Sequence, residues 1–442
     1  MTNNNIHKQF YGYLWAYILV ALSGCLGNVV DGIIVGNLIS EDGVSAINLS
    51  TPIVQFIFTL HLLINAGAGM LVAYALGKKN IDDASHFFTR ALTLSAGLGL
   101  LLTIIGGLLF PMQTAHLLCD NEHILPLAEK YMHVLLIGNP VFIVMWGLST
   151  MVGVDGSPKL VSTAVIIDNV VNLILDIVFI KFFDWGITGS SAATVVGHLV
   201  GISILLSHWR KPENRRLKLQ FSGGSLWQSW KRIVSQGAPL AVASICLTLL
   251  LFSANKIVLS TTGRTGIFVF ALCMNLLTVY NLFLSGTCQT LQSLGAIQVG
   301  KGDNDGVKAV IDNGLRFITI AMVVTCVLVW IYPQGIAELF GCDEPEMLAQ
   351  SNHALRVFAL SFIPFCYIYV LMIIYKLYSY HHMALFISFA LSLTVIPVLW
   401  LMSKFASDAI WYSYLIAYII EAAVIFFLHK KKNIEFQIKQ SK

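Results

Sequence analysis

The sequence predicts an all-α integral membrane protein: twelve transmembrane helices in two six-helix lobes, related by a pseudo-two-fold axis along the membrane normal. Three observations support this fold, namely an apolar composition, twelve apolar runs of membrane-spanning length, and an internal repeat. Of the 442 residues, 57% are hydrophobic and only 11% are charged, whereas a soluble domain carries about 25% charged residues. This composition excludes a soluble globular enzyme.

The apolar runs have the length that a bilayer requires. A helix of about 20 apolar residues crosses the hydrocarbon core. Short breaks rich in Gly, Asp and Lys, such as GKKNIDD and GKGDNDG, separate the runs. The predicted spans are 12–38, 46–76, 88–113, 128–152, 160–181, 187–208, 235–260, 267–299, 313–337, 351–375, 383–404 and 409–429.

The basic residues predict the orientation of these spans. Of the 27 Lys and Arg residues, 21 fall on the side that holds the N-terminus and every second loop. By the positive-inside rule, both termini of this multi-pass protein are expected to be cytoplasmic. Because this placement accounts for the net charge of +4, the charge gives no indication of nucleic-acid binding.

An internal repeat divides the chain into halves. The segment GKKNIDDA, starting at Gly77, matches GKGDNDGV, starting at Gly300, and Pro140 matches Pro364. Each half holds six spans, so the halves have the same orientation, which is typical of a parallel transporter repeat. The predicted organisation is an N-terminal lobe (1–208), a cytoplasmic linker (209–234), a C-terminal lobe (235–429) and a basic tail (430–442).

Two six-helix lobes favour a secondary transporter over an enzyme. In such transporters substrate binds at the interface between repeats, and access alternates as one lobe rocks on the other. The twelve His and eight Cys residues show no metal-ligand spacing, and no Walker A motif occurs. We therefore expect no enzyme activity, no metal site and no cofactor beyond a coupling ion.

The stretch IIDNVVNLILD in the fifth span carries the most informative polar residues. Asp168, Asn172 and Asp176 recur in steps of four and share one stripe of a helix. A charged side chain at the centre of a spanning helix costs roughly 2.5–3.5 kcal/mol. Asp31 in the first span and Thr194 in the sixth lie at a similar predicted depth in the outer half of the lobe. These groups either couple transport to ion entry or join helices, although an interhelical hydrogen bond averages only about 0.6 kcal/mol.

The coupling hypothesis follows from the cost of burying charge. Burial and a neighbouring carboxylate both favour the neutral form of a carboxyl group. Protons would bind Asp31 and Asp176 from the outside and leave toward the inside, while a cationic substrate competes for the same charge. Asn172 and Thr194 would support this site. For Asp168, nearest the cytoplasm, coupling and structural roles remain open alternatives.

Further polar residues lie within or beside the spans. His61 and Asn65, one turn apart in the second span, are candidates for packing or for lining the substrate cavity. Lys256 in the seventh span either snorkels toward the outer surface, pairs with a carboxylate or contacts substrate. Glu421 is expected to snorkel or to cap, and Lys376 to be a cytoplasmic topology charge.

Four segments resemble the multidrug and toxic compound extrusion (MATE) family, most closely its DinF-like and MepA-like bacterial branch. They are VDGIIVGNL, NAGAGMLVAYALGKKNIDDA, NVVNLILDIVFI and WGITGSSAATVVG. The resemblance implies export of amphipathic, often cationic compounds, driven by entry of H⁺ or Na⁺, with Asp31, Asn172, Asp176 and Thr194 lining the N-lobe cavity. The first span lacks the proline found in some relatives. Spans seven, eight and ten also lack the acidic residues that the other large branch uses for Na⁺.

The expected partners are small organic cations or amphiphiles and the lipid bilayer, and we expect a monomer that binds no nucleic acid. An alternative from the same superfamily is a flippase for a lipid-linked saccharide. A cavity rich in Lys and Arg would favour that alternative, and Lys256 is the single such indication in the sequence.

Overall fold

The prediction of twelve spanning helices is confirmed. The structure, a computed structural model, describes residues 3–109, 124–210, 216–221, 225–339, 345–406, 408–431 and 436. Within these ranges twelve helices are long and apolar enough to cross a membrane, and no residue is in a β-strand. They are α1 (Asn5–Leu38), α2 (Ser45–Gly77), α3 (Ile81–Leu109), α4 (Leu125–Val154), α5 (Pro158–Phe182), α6 (Ile187–Arg210), α7 (Leu226–Gly263), α8 (Thr265–Lys301), α9 (Asn304–Ile331), α10 (Met347–Leu377), α11 (His381–Phe405) and α12 (Asp408–Lys431).

The chain forms two compact units. The N-terminal unit is Tyr11–Ala238, and the C-terminal unit is Pro239–Lys442 together with Met1–Phe10. In the N-terminal unit α4 packs against α2, α3, α5 and α6, and the closest pairing joins α5 to α6. In the C-terminal unit α10 packs against α9, α11 and α12. The predicted lobe and linker boundaries remain predictions, and the predicted tail lies largely outside the described residues.

The helix starts reproduce the sequence repeat. The Asn80 side chain accepts a hydrogen bond from the backbone N–H of Asp83 and caps α3. Asp303, 223 positions later, caps α9 by accepting from the backbone N–H of Gly306. Both caps satisfy a backbone donor that the first helical turn leaves unpaired. The preceding residues, Lys79 and Gly302, both have positive φ angles, of 59° and 72°. The turn between helices is therefore built alike in both halves, although only one half has the glycine that this conformation favours.

Several predicted span ends differ from the structure, among them the end of the ninth span and the start of the seventh. The ninth span was expected to reach residue 337, but α9 ends at Ile331 and a short separate helix, Pro333–Leu339, follows. Pro333 causes the break, because proline cannot donate to the preceding turn and it disfavours helical geometry in the residue before it. The seventh helix begins at Leu226 rather than at 235, since the polar segment LWQSWKR continues the helix beyond its apolar run.

The described part of the predicted linker is tied to the N-terminal unit. The backbone N–H groups of Lys218 and Gln220 donate to the Ser85 and Thr89 hydroxyl oxygens on α3, at 3.1 and 2.8 Å. Arg216 forms an ion pair of 2.7 Å with the fully buried carboxylate of Asp155, and His208 Nε2 lies 2.8 Å from the same carboxylate. The segment after α6 is therefore held by specific polar contacts.

Candidate functional site

Asn169 on α5 approaches α1 closely near the acidic residues. Asn169 Nδ2 donates to the Ser23 hydroxyl oxygen at 2.9 Å. A Cβ atom on Gly27 would come within 2.8 Å of Asn169 Oδ1, so the Asn169 side chain lies directly against residue 27. Small residues permit such contacts between membrane helices. The contact lies about two turns before Asp31 and Asp176 on two helices that run from the same predicted side.

Asp31 and Asp176 form a carboxyl pair at the end of this approach. The two carboxyl groups are close enough to interact electrostatically, and Asp31 is half-buried whereas Asp176 is completely buried. The Ser190 hydroxyl on α6 donates to Asp31 Oδ1 at 3.3 Å. Both Asp176 oxygens are buried and have no hydrogen-bond donor among the described residues. Two carboxylates cannot hydrogen-bond to each other without a proton, so a proton or another cation would stabilise this pair.

One turn along the same stripe, α5 and α6 are joined by an amide–hydroxyl contact. Asn172 Nδ2 donates to Thr194 Oγ1 at 3.2 Å, and Thr194 Oγ1 donates to the backbone carbonyl of Ser190 at 3.1 Å. Asn172 is buried, with 8% of its surface exposed. The structure thus brings together four predicted site residues, Asp31, Asn172, Asp176 and Thr194, through contacts with Ser190.

A further turn along the stripe, Asp168 has a partner that the sequence analysis did not identify. His198 Nδ1 on α6 lies 3.0 Å from both Asp168 carboxylate oxygens, and the Asp168 side chain is only 5% exposed. Two glycines allow the contact: a Cβ atom on Gly197 would lie 2.7 Å from Asp168 Oδ1, and one on Gly201 would lie 3.3 Å from Asp168 Cβ. Asp168 is therefore a paired residue rather than an isolated charge.

The three contacts form one regular arrangement, which we name the polar ladder. Its members are Asp168, Asn172 and Asp176 on α5 and Ser190, Thr194 and His198 on α6. Because α5 and α6 are antiparallel and both sets recur every four residues, Asp168 meets His198 and Asn172 meets Thr194. Ser190 lies level with Asp176 and donates to its partner Asp31. Ser190 and His198 could have been found by extending the steps of four from Thr194 in both directions.

His61 and Asn65 contact each other at a local π-helical turn of α2, Leu62–Ala66. Asn65 Nδ2 lies 3.2 Å from His61 Nδ1, and the Ser95 hydroxyl donates to Asn65 Oδ1 at 3.3 Å. Asn65 is buried, whereas His61 is partly exposed. Asn65 is thus fixed by packing partners on both sides, while the imidazole it holds keeps an accessible edge.

His61 belongs to a group of rings that also includes His198. The Trp146 ring centroid lies 5.3 Å from His61, 5.5 Å from Phe58 and 6.4 Å from His198, and Phe142 lies 4.6 Å from His198. We name this group, Phe58, His61, Phe142, Trp146 and His198, the ring cluster. The polar ladder is therefore continuous with an aromatic surface within the N-terminal unit.

Three other ionisable residues considered from the sequence, Lys256, Lys376 and Glu421, lie in the C-terminal unit. Lys256 is exposed on α7. Lys376 lies at the end of α10, as expected, but its side chain is completely buried and its Nζ donates to Gln292 Oε1 at 3.2 Å. Its role as a cytoplasmic topology charge stays a prediction. Glu421 does not snorkel: it is 2% exposed, and both of its carboxylate oxygens are buried with no hydrogen-bond partner among the described residues. Packing inside the unit, rather than depth in the membrane, decides the environments of both groups.

No cluster of three or more His, Cys, Asp or Glu side chains that could hold a metal ion occurs in the part of the chain that the structure describes. The carboxyl pair supplies two acidic side chains and one hydroxyl. This arrangement can hold a proton between the carboxyl groups or bind a monovalent cation.

The chain is similar to individual relatives in sequence and in structure. Over 352 residues the chain is 23% identical to the multidrug export protein MepA of Staphylococcus aureus, a match covering 77% of this chain and 76% of that protein. The MATE transporter VcmN of Vibrio cholerae has a similar structure, with a TM-score of 0.89, 18% identity and coverage of 98% and 99% of the two chains. A MOP superfamily transporter from Pyrococcus furiosus, described as having a binding pocket of reverse polarity, gives a TM-score of 0.86 at 17% identity, covering 97% of this chain and 96% of that one.

The family model named MatE matches the chain twice, over residues 17–178 and 239–401. The two matches fall in the two halves of the sequence repeat and together cover well over half of the chain. The first match includes Asp31, Asn172 and Asp176. The resemblance stated from the sequence motifs is confirmed: the chain belongs to the MatE family, the multidrug and toxic compound extrusion transporters.

Proposed function

We propose that this protein is a secondary active multidrug efflux antiporter of the bacterial inner membrane, with both termini in the cytoplasm. It exports amphipathic cationic organic compounds in exchange for protons, or for Na⁺. Family membership and the export function named for MepA support efflux. The carboxyl pair supports coupling to a cation and is the observation that carries the proposal.

The pair explains why substrate and coupling ion exclude each other. With both carboxyl groups ionised, Asp31 and Asp176 present two negative charges, and the Ser190 hydroxyl donates to only one of them. A proton shared between the carboxyl groups, or a cationic substrate beside them, removes this unfavourable state. Occupancy by one lowers the affinity for the other, which is the condition for exchange.

Alternating access completes the proposed cycle. The two units have corresponding helices, as the matched caps at Asn80 and Asp303 illustrate. Transporters with such repeats move one repeat against the other around the binding site. Protons would bind the pair from the outer side, displace substrate there, and leave after the site turns inward. We expect the monomer to carry out the whole cycle.

A lipid-linked saccharide flippase is the alternative. The fold does not decide between the two functions, since a structural neighbour with this fold is described as having a pocket of reverse polarity. The phosphate groups of a lipid-linked saccharide are anionic, and they would be repelled by the carboxyl pair. Lys256, exposed on α7, is the cation that would favour the flippase. The acidic site in the N-terminal unit therefore supports cation export better.

The test is transport by purified protein reconstituted into liposomes, with a proton gradient and a Na⁺ gradient imposed separately. We expect a proton gradient to drive ethidium transport by the wild-type protein. Asp31→Asn and Asp176→Asn should each reduce that transport at least tenfold, because the amide cannot exchange a proton. Asp82→Asn is the matched control, since Asp82 is exposed at the start of α3 and its replacement should leave transport unchanged.

The outcomes separate the parts of the proposal. Ethidium transport that persists in both Asn variants would contradict coupling at the carboxyl pair. If only a Na⁺ gradient drives transport, the coupling ion is Na⁺ rather than the proton, and the proposal of efflux stands. If no gradient drives transport of ethidium or of another organic cation by the wild-type protein, the efflux proposal itself is wrong.

A further inference from the structure

We propose that the Asp168–His198 pair and the ring cluster form a second exchange station in the N-terminal unit, where a proton on the imidazole and a planar organic cation exclude each other. The inference rests on the proposed export function. It assigns a role to His198 and Trp146, which coupling at Asp31 and Asp176 does not require.

The geometry of the pair fixes where a proton binds. His198 Nδ1 lies 3.0 Å from both oxygens of the buried Asp168 carboxylate, so this nitrogen carries a hydrogen that it donates. The opposite nitrogen, Nε2, is then the basic atom of the neutral ring. The pair carries one negative charge when Nε2 is unprotonated and none when it is protonated. A single proton therefore switches the station between a state that attracts a cation and one that does not.

The rings beside the pair favour a positive charge, whether it is on the His198 imidazole or on a bound organic cation. The Phe142 ring lies 4.6 Å from the His198 ring at an interplanar angle of 62°, and the Trp146 ring lies 6.4 Å from it. Faces of Trp and Phe rings attract a cation within about 6 Å, so Phe142 is within range of a charge on His198, and Trp146 would act on an organic cation bound nearer its own face. Trp146 also lies 5.3 Å from His61 and 5.5 Å from Phe58, so the aromatic surface extends beyond the pair. A flat organic cation that binds here can contact an aromatic surface and a negative charge at the same time.

Few other ionisable groups face His198 among the described residues. Its helix α6 packs against α4 and α5. On α5, Asp168 is in contact, Asp176 is two turns away, and Lys159 and Lys181 lie near the two ends of the helix. On α6 itself, His208 is engaged with Asp155 at 2.8 Å.

The other neighbours are neutral at this level. The ionisable residues of α4 lie in its first three turns, at least nine residues from Phe142; they are Glu129, Lys130, Tyr131 and His133. The ring of His61 on α2 lies 5.3 Å from Trp146, and its Nδ1 accepts from Asn65. The charge of the station is therefore determined chiefly by Asp168 and His198.

The station is separate from the carboxyl pair. Asp168 and Asp176 are eight residues apart on one helix, which corresponds to about 12 Å at 1.5 Å per residue. Asn172 and Thr194, which do not titrate, occupy the rung between them. A cation could thus occupy one station while a proton occupies the other.

The experiment measures ethidium binding and proton release together, with purified full-length protein in a weakly buffered detergent solution between pH 5.5 and 8. His198→Gln removes the titrating group and keeps a side chain that can donate to Asp168. Since Asp168 then stays unneutralised, ethidium affinity should weaken less on acidification than in the wild type. Proton release per bound ethidium should fall, by up to about one proton, because the variant has no imidazole to bind that proton.

Two further variants complete the test. Asp168→Asn should weaken ethidium binding at every pH, because it removes the negative charge of the station. Trp146→Leu should weaken binding roughly three- to thirtyfold, the range for loss of a cation–π contact. Trp227→Leu is the matched control, because Trp227 is 73% exposed, and it should bind as the wild type does.

The outcomes distinguish this inference from the proposed function. If His198→Gln keeps the wild-type pH profile and proton release while Asp176→Asn abolishes exchange, the second station is wrong and efflux coupling stands. If Asp176→Asn exchanges normally and His198→Gln no longer releases protons when ethidium binds, the Asp168–His198 station alone couples transport. A thermal midpoint within a few degrees of the wild type shows that each variant is folded, and Trp146→Leu binding at wild-type affinity would also overturn the inference.

Discussion

Gly197→Ala tests whether the polar ladder depends on the close approach of α5 and α6. A Cβ atom on residue 197 would lie 2.7 Å from Asp168 Oδ1 and 2.9 Å from the Asp168 backbone oxygen. The side chain can rotate away, but the backbone oxygen can move only with its helix. Ordinary contact begins at 3.4 Å, so the helices must separate locally by about 0.5 Å, the difference between 3.4 and 2.9 Å.

The same displacement weakens the ladder. Added to the 3.2 Å between Asn172 and Thr194, it gives about 3.7 Å, beyond the length of a hydrogen bond. Overpacking costs about 1–3 kcal/mol, and each lost interhelical hydrogen bond costs on the order of 0.6 kcal/mol. We therefore expect Gly197→Ala to lower the free energy of unfolding by about 2–4 kcal/mol and to reduce substrate exchange.

The assay is thermal unfolding in detergent, followed by ethidium exchange in liposomes. Gly97→Ala is the matched control, since Gly97 lies in α3 and a Cβ atom there meets nothing within 4 Å. The expected result is a lower unfolding midpoint for Gly197→Ala and an unchanged or higher midpoint for Gly97→Ala. If the two variants are equally stable and equally active, close packing at residue 197 does not hold the ladder together.

Two further predictions concern buried charges elsewhere. Glu421→Met should raise the thermal midpoint in detergent, because it removes a buried carboxyl group that has no described partner. Such an unsatisfied group costs about 1–3 kcal/mol. A lower midpoint or lost exchange would show that Glu421 has a binding role. Arg216→Gln should destabilise the protein by about 1–3 kcal/mol, because the buried Asp155 carboxylate loses an ion-pair partner that is itself half-exposed. Lys231→Gln, at an exposed position, is the control and should have no measurable effect on the thermal midpoint.

The sequence predicted the twelve spans because each required only length and hydropathy, and both are local properties. It also placed Asn172 and Asp176 on one stripe, since helical periodicity needs no knowledge of neighbouring helices. Identifying the partners required the pairing of α5 with α6. Once two antiparallel helices are known to pair, Ser190, Thr194 and His198 are the expected partners, because they recur with the same spacing.

Other environments could not be inferred from local sequence. Lys376 follows an apolar run and precedes a turn, as a membrane-boundary lysine does, yet it is completely buried. Its burial depends on the packing of α10 at the centre of the C-terminal unit, and its Gln292 partner lies 84 residues away in the chain. Long-range packing of this kind leaves no periodic signal in a single sequence.

The equal spacing of the polar ladder has a consequence for sliding between its two helices. If α6 moved by one turn along α5, Ser190 would meet Asn172 and Thr194 would meet Asp168, so two of the three rungs would still pair polar groups. Helices in switching proteins move past each other by such one-turn steps. Hydrogen bonding alone therefore specifies the register of α5 and α6 only weakly. The register is set instead by the close contacts of Gly197 and Gly201 with Asp168. Two residues whose side chains are single hydrogen atoms therefore determine which charged groups face each other.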